Sequence, residues 1–119
     1  MSAVGLVVRV SEKDMDAVTA VSGSGPAYVF FLTEILLEAA ERLHLESATA
    51  RDLAVATVEG AARLMKETGL PPTELRARVT SKGGTTEAAL NVLKEKKIFE
   101  SFVEAVLAAS RRAAELAKS

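Results

Sequence analysis

The chain has 119 residues and a net charge of −1, from 15 lysines and arginines against 16 aspartates and glutamates. This length predicts one domain with its own hydrophobic core, and the charge balance argues against a basic nucleic-acid-binding surface. The absence of cysteine excludes disulfides, thiolate metal sites and cysteine nucleophiles. Alanine supplies 21 residues and aromatic residues only 4% of the chain, a composition typical of closely packed helices.

No segment of the sequence is predicted to span a membrane. The longest apolar region, residues 27–43, is interrupted by four charged side chains. The N-terminus has no basic stretch followed by an apolar one, so no secretory signal is predicted. We therefore expect a cytoplasmic protein without a nucleic-acid, membrane or metal partner.

The first predicted element is a strand. Residues 4–10 (VGLVVRV) form a β-branched run that is bounded by polar residues at 11–14. A lone strand leaves its backbone N–H and C=O groups unpaired, so this segment needs a partner from elsewhere. It is the first indication that the chain belongs to something larger.

A loop rich in glycine and serine, residues 22–25, precedes the first long helix. Pro26 suits the first helical position, where its missing N–H would have no acceptor. The helix is predicted to run to His44, and apolar residues cover most of its circumference. A helix that is apolar nearly all round is buried nearly all round. Because a small subunit has little protein to cover it, a second copy of the chain is the simplest cover.

Four more helices are predicted, over residues 48–68, 73–79, 87–97 and 98–117. Ser47 or Thr49 is expected to cap the first of these, and Gly69 to take the left-handed position after its end. Gly60 lies inside it, where glycine costs about 1 kcal/mol relative to alanine. Close contact with a neighbouring helix is the expected compensation. The pattern after residue 24 is therefore all-α.

The polar loop at residues 81–86 (SKGGTT) is the most informative stretch, because it leads into a predicted helix. The first N–H groups of a helix lack helical acceptors and lie at the positive end of its dipole, which favours binding of a carboxylate or phosphate. The two glycines allow close approach of a ligand, and the two threonines add hydroxyl groups. The alternative is an ordinary helix start that binds nothing, with a threonine as the cap.

Other candidate motifs favour structural interpretations. Residues 22–26 (SGSGP) lack the lysine of a P-loop and the glycine spacing of a dinucleotide-binding turn, so a tight turn into a helix is favoured. His44 has no evident catalytic partner and is interpreted as a helix-end residue. No spacing of side chains indicates a metal site.

Two segments and three apolar positions that follow them resemble pyrroline-5-carboxylate reductase: residues 16–30 (DAVTAVSGSGPAYVF), residues 79–86 (VTSKGGTT), and Ala89, Leu90 and Leu93. The resemblance extends over about residues 4–117. It implies an all-α helical dimerisation domain of the 6-phosphogluconate-dehydrogenase-like type, with one short N-terminal strand.

The family's enzymes reduce 1-pyrroline-5-carboxylate to proline in proline biosynthesis. They bind NADPH or NADH in an N-terminal Rossmann domain, and their helical domains interlock as homodimers that often assemble further. The resemblance therefore implies that residues 1–15 are a remnant strand and linker of a missing Rossmann domain, and that residues 16–119 form the dimerisation and substrate-loop domain. No G-x-G-x-x-G sequence follows a strand, so this chain is expected to bind no cofactor and to be inactive alone.

The resemblance also implies a substrate site in the second loop. The residues that would cradle the substrate carboxylate are Ser81, Gly83, Gly84 and Thr85. Thr86, the implied catalytic residue, would hydrogen-bond the ring nitrogen and polarise the imine. No residue is implied in cofactor or metal binding. Lys82 stands where the family commonly has proline. The lysine adds a positive charge beside the implied carboxylate site.

Two further functions remain open on the same residues. One is a non-catalytic helical scaffold that has kept the homodimer surface and lost catalysis. The other is a sensor that binds a small carboxylate such as proline. Assembly alone would favour the scaffold, and binding without reduction would favour the sensor.

Overall fold

Helices make up nearly all of the chain in a computed structural model, which describes residues 9–118. Helices α1 to α6 span, in order, Met15–Val18, Gly25–Arg42, Ser47–Thr68, Pro72–Arg78, Thr85–Glu95 and Ile98–Ala117. A 3₁₀ turn at Glu12–Asp14 precedes α1, and a π-helical turn at Thr19–Gly23 follows it. No strand occurs within residues 9–118, which confirms the predicted all-α class.

The long helices lie close to their predicted positions. Helix α6 has the predicted bounds, and α2, α3 and α4 begin and end within two residues of theirs. Helix α5 lies two residues earlier than the predicted 87–97, because both threonines of the loop join its first turn. The predicted strand at 4–10 falls mostly on residues 1–8, outside the described residues, while Arg9 and Val10 belong to no helix or strand.

Helical structure begins earlier than the sequence predicts. The prediction of a loop at residues 22–25 is wrong for its first half, because Ser22 and Gly23 belong to the π-helical turn. The N–H of Ser24 donates to the carbonyl of Thr19 at 2.8 Å. A π turn takes in one extra residue, so helical hydrogen bonding continues through a glycine- and serine-rich stretch that is typical of a loop. The helical residues from Glu12 onward were likewise not predicted.

This early helical start changes the expectation about membrane spans. The segment Glu12–Arg42 is long and apolar enough to cross a membrane, by length and composition alone, which the sequence analysis did not predict. The reason is that the turn before α2 adds apolar residues upstream of the glutamates that interrupt the later part. A helix from the core of a soluble protein meets the same criterion, so the finding does not place the chain in a membrane.

Helix α2 ends in a Schellman motif with histidine at the left-handed position. His44 has φ 64°, its N–H donates to the carbonyl of Glu41 at 3.0 Å, and the N–H of Leu45 donates to that of Ala40 at 3.0 Å. These two bonds satisfy carbonyl groups that a helix end leaves unpaired. Glycine is the usual residue here, because a side chain disfavours this conformation.

Helix α3 confirms one predicted end and contradicts the other. Gly69 is left-handed with φ 66°, and its N–H donates to the carbonyl of Met65 at 3.0 Å. The N-cap is Glu46, without a side-chain cap, so the predicted cap by Ser47 or Thr49 is wrong. Apart from the adjoining backbone of α3 itself, no atom of residues 9–118 lies within 4 Å of a Cβ placed on Gly60. The close helix contact expected at this glycine is therefore not made by its own chain.

The chain divides into two compact units, Val29–Leu93 and a unit of both termini, Met1–Tyr28 with Lys94–Ser119. In the described part of the terminal unit, α6 packs against α1 and the π turn. The Tyr28 ring meets the Phe102 ring edge-on, with centroids 5.4 Å apart. The Tyr28 hydroxyl donates to the carbonyl of Ala20 at 2.7 Å. One side chain therefore joins the start of α2 to both the π turn and α6.

Burial inside the protomer is confined to small side chains. Within residues 9–118 the buried residues are Ala20, Ala40, Ala50 and Ala54. On α2, Phe30 is 66% exposed and Phe31 57%. Since fully burying one large apolar side chain contributes about 1.5–3 kcal/mol, these side chains represent stabilisation that a protomer alone does not obtain. The prediction that α2 is not covered by its own chain is confirmed.

Candidate functional site

The candidate site is the turn between α4 and α5, inside the unit Val29–Leu93. The N–H of Gly84 donates to the carbonyl of Ser81 at 3.0 Å, and the carbonyl of Gly84 accepts the N–H of Ala88 at 3.2 Å. Gly84 is therefore the N-cap residue of α5, and Thr85 is its first helical residue. The alternative in which a threonine caps this helix is wrong.

The geometry of the turn favours glycine at both positions. Gly83 has φ 75°, a left-handed conformation that disfavours other residues. A Cβ on Gly84 would lie 2.5 Å from Oγ of Ser81 and 3.2 Å from its carbonyl oxygen. The serine hydroxyl consequently lies directly against the N-cap backbone, where only glycine leaves room for it.

Glu87 closes the turn from the helix side. Its Oε1 accepts the N–H of Gly83 at 3.0 Å, and its side chain is partly buried. Glu87 is the third residue of α5, where a capping-box glutamate reaches back to the N-terminal backbone. No role for Glu87 is predicted from the sequence, and its bond differs from that of a capping box, in which the glutamate accepts the N–H of the cap residue itself, here Gly84.

The hydroxyl groups of Thr85 and Thr86 have no hydrogen-bond partner among residues 9–118, so both can serve a ligand. The Thr85 side chain is exposed, and that of Thr86 is partly buried. The backbone N–H groups of these two residues lie in the first turn, where no helical acceptor exists and the dipole favours an anion. Hydroxyl and amide donors thus occur together at one helix end.

The structure brings all the implied site residues into one short turn. Ser81, Gly83, Gly84, Thr85 and Thr86 are consecutive but for Lys82, which is exposed and has no ion pair with another described residue. The preceding residue anchors the turn, because the Thr80 hydroxyl donates to the carbonyl of Arg76 at the end of α4. A small anion at this turn would meet donors from both its backbone and its side chains.

The other sequence candidates do not form a second site within residues 9–118. The SGSGP segment is part of a helical turn and the start of α2, as its structural interpretation requires. His44 ends α2 and makes no side-chain hydrogen bond to a described residue. No group of three or more histidine, aspartate or glutamate side chains in this range is placed to hold a metal ion.

Comparison with known proteins identifies one family. Residues 12–116 match the family model described as pyrroline-5-carboxylate reductase dimerisation. The chain is 54% identical over 118 residues to a pyrroline-5-carboxylate reductase of Corynebacterium melassecola, covering 99% of this chain and 44% of the relative. A reductase of the same name from Synechocystis is 50% identical over 117 residues, with 98% and 44% covered.

Solved structures show the same similarity. A pyrroline-5-carboxylate reductase of Coxiella burnetii has a TM-score of 0.88 at 50% identity, over 96% of this chain and 43% of that one. The enzyme of Plasmodium falciparum with NADP bound has a TM-score of 0.87 at 32% identity, over 92% and 44%. The chain spans less than half the length of these relatives. With its helical fold and glycine turn, the chain belongs to the pyrroline-5-carboxylate reductase dimerisation family.

Proposed function

We propose that this chain is the dimerisation and substrate-binding part of a pyrroline-5-carboxylate reductase, which reduces 1-pyrroline-5-carboxylate to proline with NADPH or NADH. The observation that carries the proposal is the match to the family's dimerisation domain over residues 12–116. The turn before α5 supports it, because its donors suit a small carboxylate. Relatives of this name cover nearly the whole chain at up to 54% identity.

The turn provides two kinds of donor for two parts of this substrate. The Ser81 hydroxyl and the backbone of the turn at Gly83, Gly84 and Thr85 hold the carboxylate, with the N–H groups of Gly83 and Thr85 as the backbone donors, and this fixes the ring in one orientation. The Thr86 hydroxyl donates a hydrogen bond to the ring nitrogen and stabilises the negative charge that develops there as hydride adds to the imine carbon, and the nitrogen then takes up a proton from water. The donors to the substrate carboxylate therefore set the binding affinity, and the Thr86 donor raises the rate of reduction.

Residues 9–118 offer no dinucleotide-binding turn for the nicotinamide cofactor. A dinucleotide-binding turn follows a strand, and residues 9–118 contain no strand. We therefore place the cofactor on a part of the reductase outside these residues and assign it no contact here. The Plasmodium relative, of which this chain covers 44%, was solved with NADP bound, which supports a dinucleotide as the cofactor of the complete enzyme.

The proposed partner is a second copy of the chain, with dimers assembling further, in the cytoplasm. The exposed side chains of Phe30, Phe31 and Leu32 on α2 support this, since a dimer would remove them from water. Light scattering at micromolar concentration tests it directly. We expect twice the protomer mass for the dimer and an even multiple of it where dimers assemble further, and a stable monomer would contradict the proposal.

The catalytic part is tested in a fusion protein. The region of the Corynebacterium reductase that this chain does not match is joined to this chain, and NADPH oxidation is followed with 1-pyrroline-5-carboxylate. We expect reduction, and loss of about 100-fold in kcat in the Thr86→Ala variant, as for removal of one transition-state donor. Thr73→Ala, at an exposed threonine of α4, is the matched control and should keep full activity.

The same fusion separates the two other functions. A dimer that shows neither reduction nor proline binding would favour a non-catalytic scaffold. Proline binding without reduction, unaffected by Thr86→Ala, would favour a small-carboxylate sensor. Equal activity of the Thr86→Ala and Thr73→Ala variants would leave the reductase in place but remove the catalytic role of Thr86.

A further inference from the structure

The chain supplies its own anion to the turn assigned to the substrate. Oε1 of Glu87 accepts the N–H of Gly83 at 3.0 Å, and Gly83 is among the residues proposed to hold the substrate carboxylate. One N–H group makes one strong hydrogen bond, so it cannot serve both carboxylates fully. The ligand-free turn is therefore already bonded to a negative group, supplied by the following helix.

The position of Glu87 explains why this internal bond forms. As the third residue of α5 it lies near the positive end of the helix dipole, where a negative side chain is stabilised. Bonding to Gly83 also satisfies a backbone donor in a left-handed residue that has no helical partner. The interaction thus orders the turn before any ligand arrives.

We propose that Glu87 is a positioning residue that sets the affinity of this turn: it holds the glycines in place, and its charge weakens binding of an incoming carboxylate. When a ligand binds, the Gly83 N–H stops donating to Glu87 and donates to the ligand carboxylate instead. The inference rests on the proposed function, because it takes the turn as the site of the substrate carboxylate. Glu87 itself contacts no reacting atom.

The two effects of Glu87 can be separated by one substitution. In Glu87→Gln the amide oxygen can still accept the Gly83 N–H, so the turn is retained, while the negative charge is lost. Two carboxylates at one donor lie about 5 Å apart, and their repulsion in fully aqueous surroundings corresponds to about fourfold in affinity. Partial burial of Glu87 strengthens this repulsion, while the ammonium group of proline offsets part of it, so we expect about threefold tighter binding in the variant.

The experiment titrates the full chain with L-proline and follows the backbone amide signals of Gly83 and Thr85 by NMR. The wild type, Glu87→Gln and the control Glu95→Gln are compared at low and high salt. Glu95 is exposed and lies eight positions further along the same helix, about 12 Å away along its axis. The Glu95→Gln substitution therefore removes the same charge from α5, but at a distance from the turn.

Tighter proline binding in Glu87→Gln alone, with a difference that shrinks as salt is added, would support the inference. Equal or weaker binding in Glu87→Gln would overturn it while leaving the proposed substrate site intact. Equal tightening in both variants would also overturn it, since the effect would then be one of net charge. If proline shifts neither amide signal in any of the three proteins, the proposed site itself fails, and the inference with it.

Discussion

Alanine in place of Gly84 should impair ligand binding by the turn more than it impairs folding. The added Cβ would lie 2.5 Å from Oγ of Ser81 and 3.2 Å from the Ser81 carbonyl oxygen. The hydroxyl is a flexible side-chain end and can rotate away. The carbonyl cannot retreat freely, because it accepts the N–H of Gly84 at 3.0 Å. The substitution therefore displaces a proposed substrate donor while the helix start persists.

The Gly84→Ala substitution should cost more free energy of proline binding than of folding. An off-rotamer serine costs about 0.5–1.5 kcal/mol, and a crowded carbonyl adds about 1 kcal/mol, the low end of overpacking. Removing a glycine from the unfolded chain returns about 0.4–1 kcal/mol. The net loss of folding stability should be about 1 kcal/mol. Losing one hydrogen bond to a carboxylate, at about 1.5–3 kcal/mol, should weaken proline binding at least tenfold.

The assay pairs urea unfolding with calorimetric titration of L-proline. Gly60→Ala in α3 is the matched control for proline binding, because its added Cβ meets no described atom within 4 Å beyond the adjoining backbone of α3. Full proline affinity in Gly84→Ala would refute the role given to the Ser81 hydroxyl. Unfolding of the Gly84→Ala variant without urea would refute the estimate that the helix start tolerates the change.

Three further outcomes follow from the helix ends and the packing around α2. Gly60→Ala should stabilise the protein by about 1 kcal/mol if the position stays open; destabilisation in urea would instead show that another copy packs against it. His44→Gly should raise the melting temperature by about 4 °C, since glycine relieves a left-handed conformation, whereas His44→Ala should not. Tyr28→Phe should cost about 1 kcal/mol in urea unfolding through the lost bond to the Ala20 carbonyl, and no change would contradict the role of that hydroxyl.

Helix positions were predictable from the sequence where apolar periodicity and strong stop signals coincide. Helix α6 was predicted to the residue, and Gly69 marked the end of α3 by the conformation that glycine alone adopts easily. The π turn at Thr19–Gly23 was not predictable, because its serine and glycine are typical of a loop and its packing against α6 is a tertiary contact that the local sequence does not show. His44 was placed inside its helix, since histidine gives no stop signal.

The candidate site was predictable in its residues and not in its internal bonds. The adjacent glycines and threonines before a helix indicated an anion site, and the family resemblance assigned the roles that remain proposals. The sequence could not show that Gly84 is the cap, because threonine is the more usual capping residue. Nor could it show which donor Glu87 reaches, since that depends on the left-handed turn at Gly83.

All the buried side chains among residues 9–118 are alanine, and this composition bears on how the folded population depends on expression level. If the phenylalanines of α2 reach a dry environment only on association, folding and pairing become a single bimolecular event, and the midpoint of denaturation should climb as the protein is concentrated. Newly made chains at low concentration would then stay longer in an unpaired state with exposed apolar side chains, in which they depend on chaperones, than chains made at high concentration.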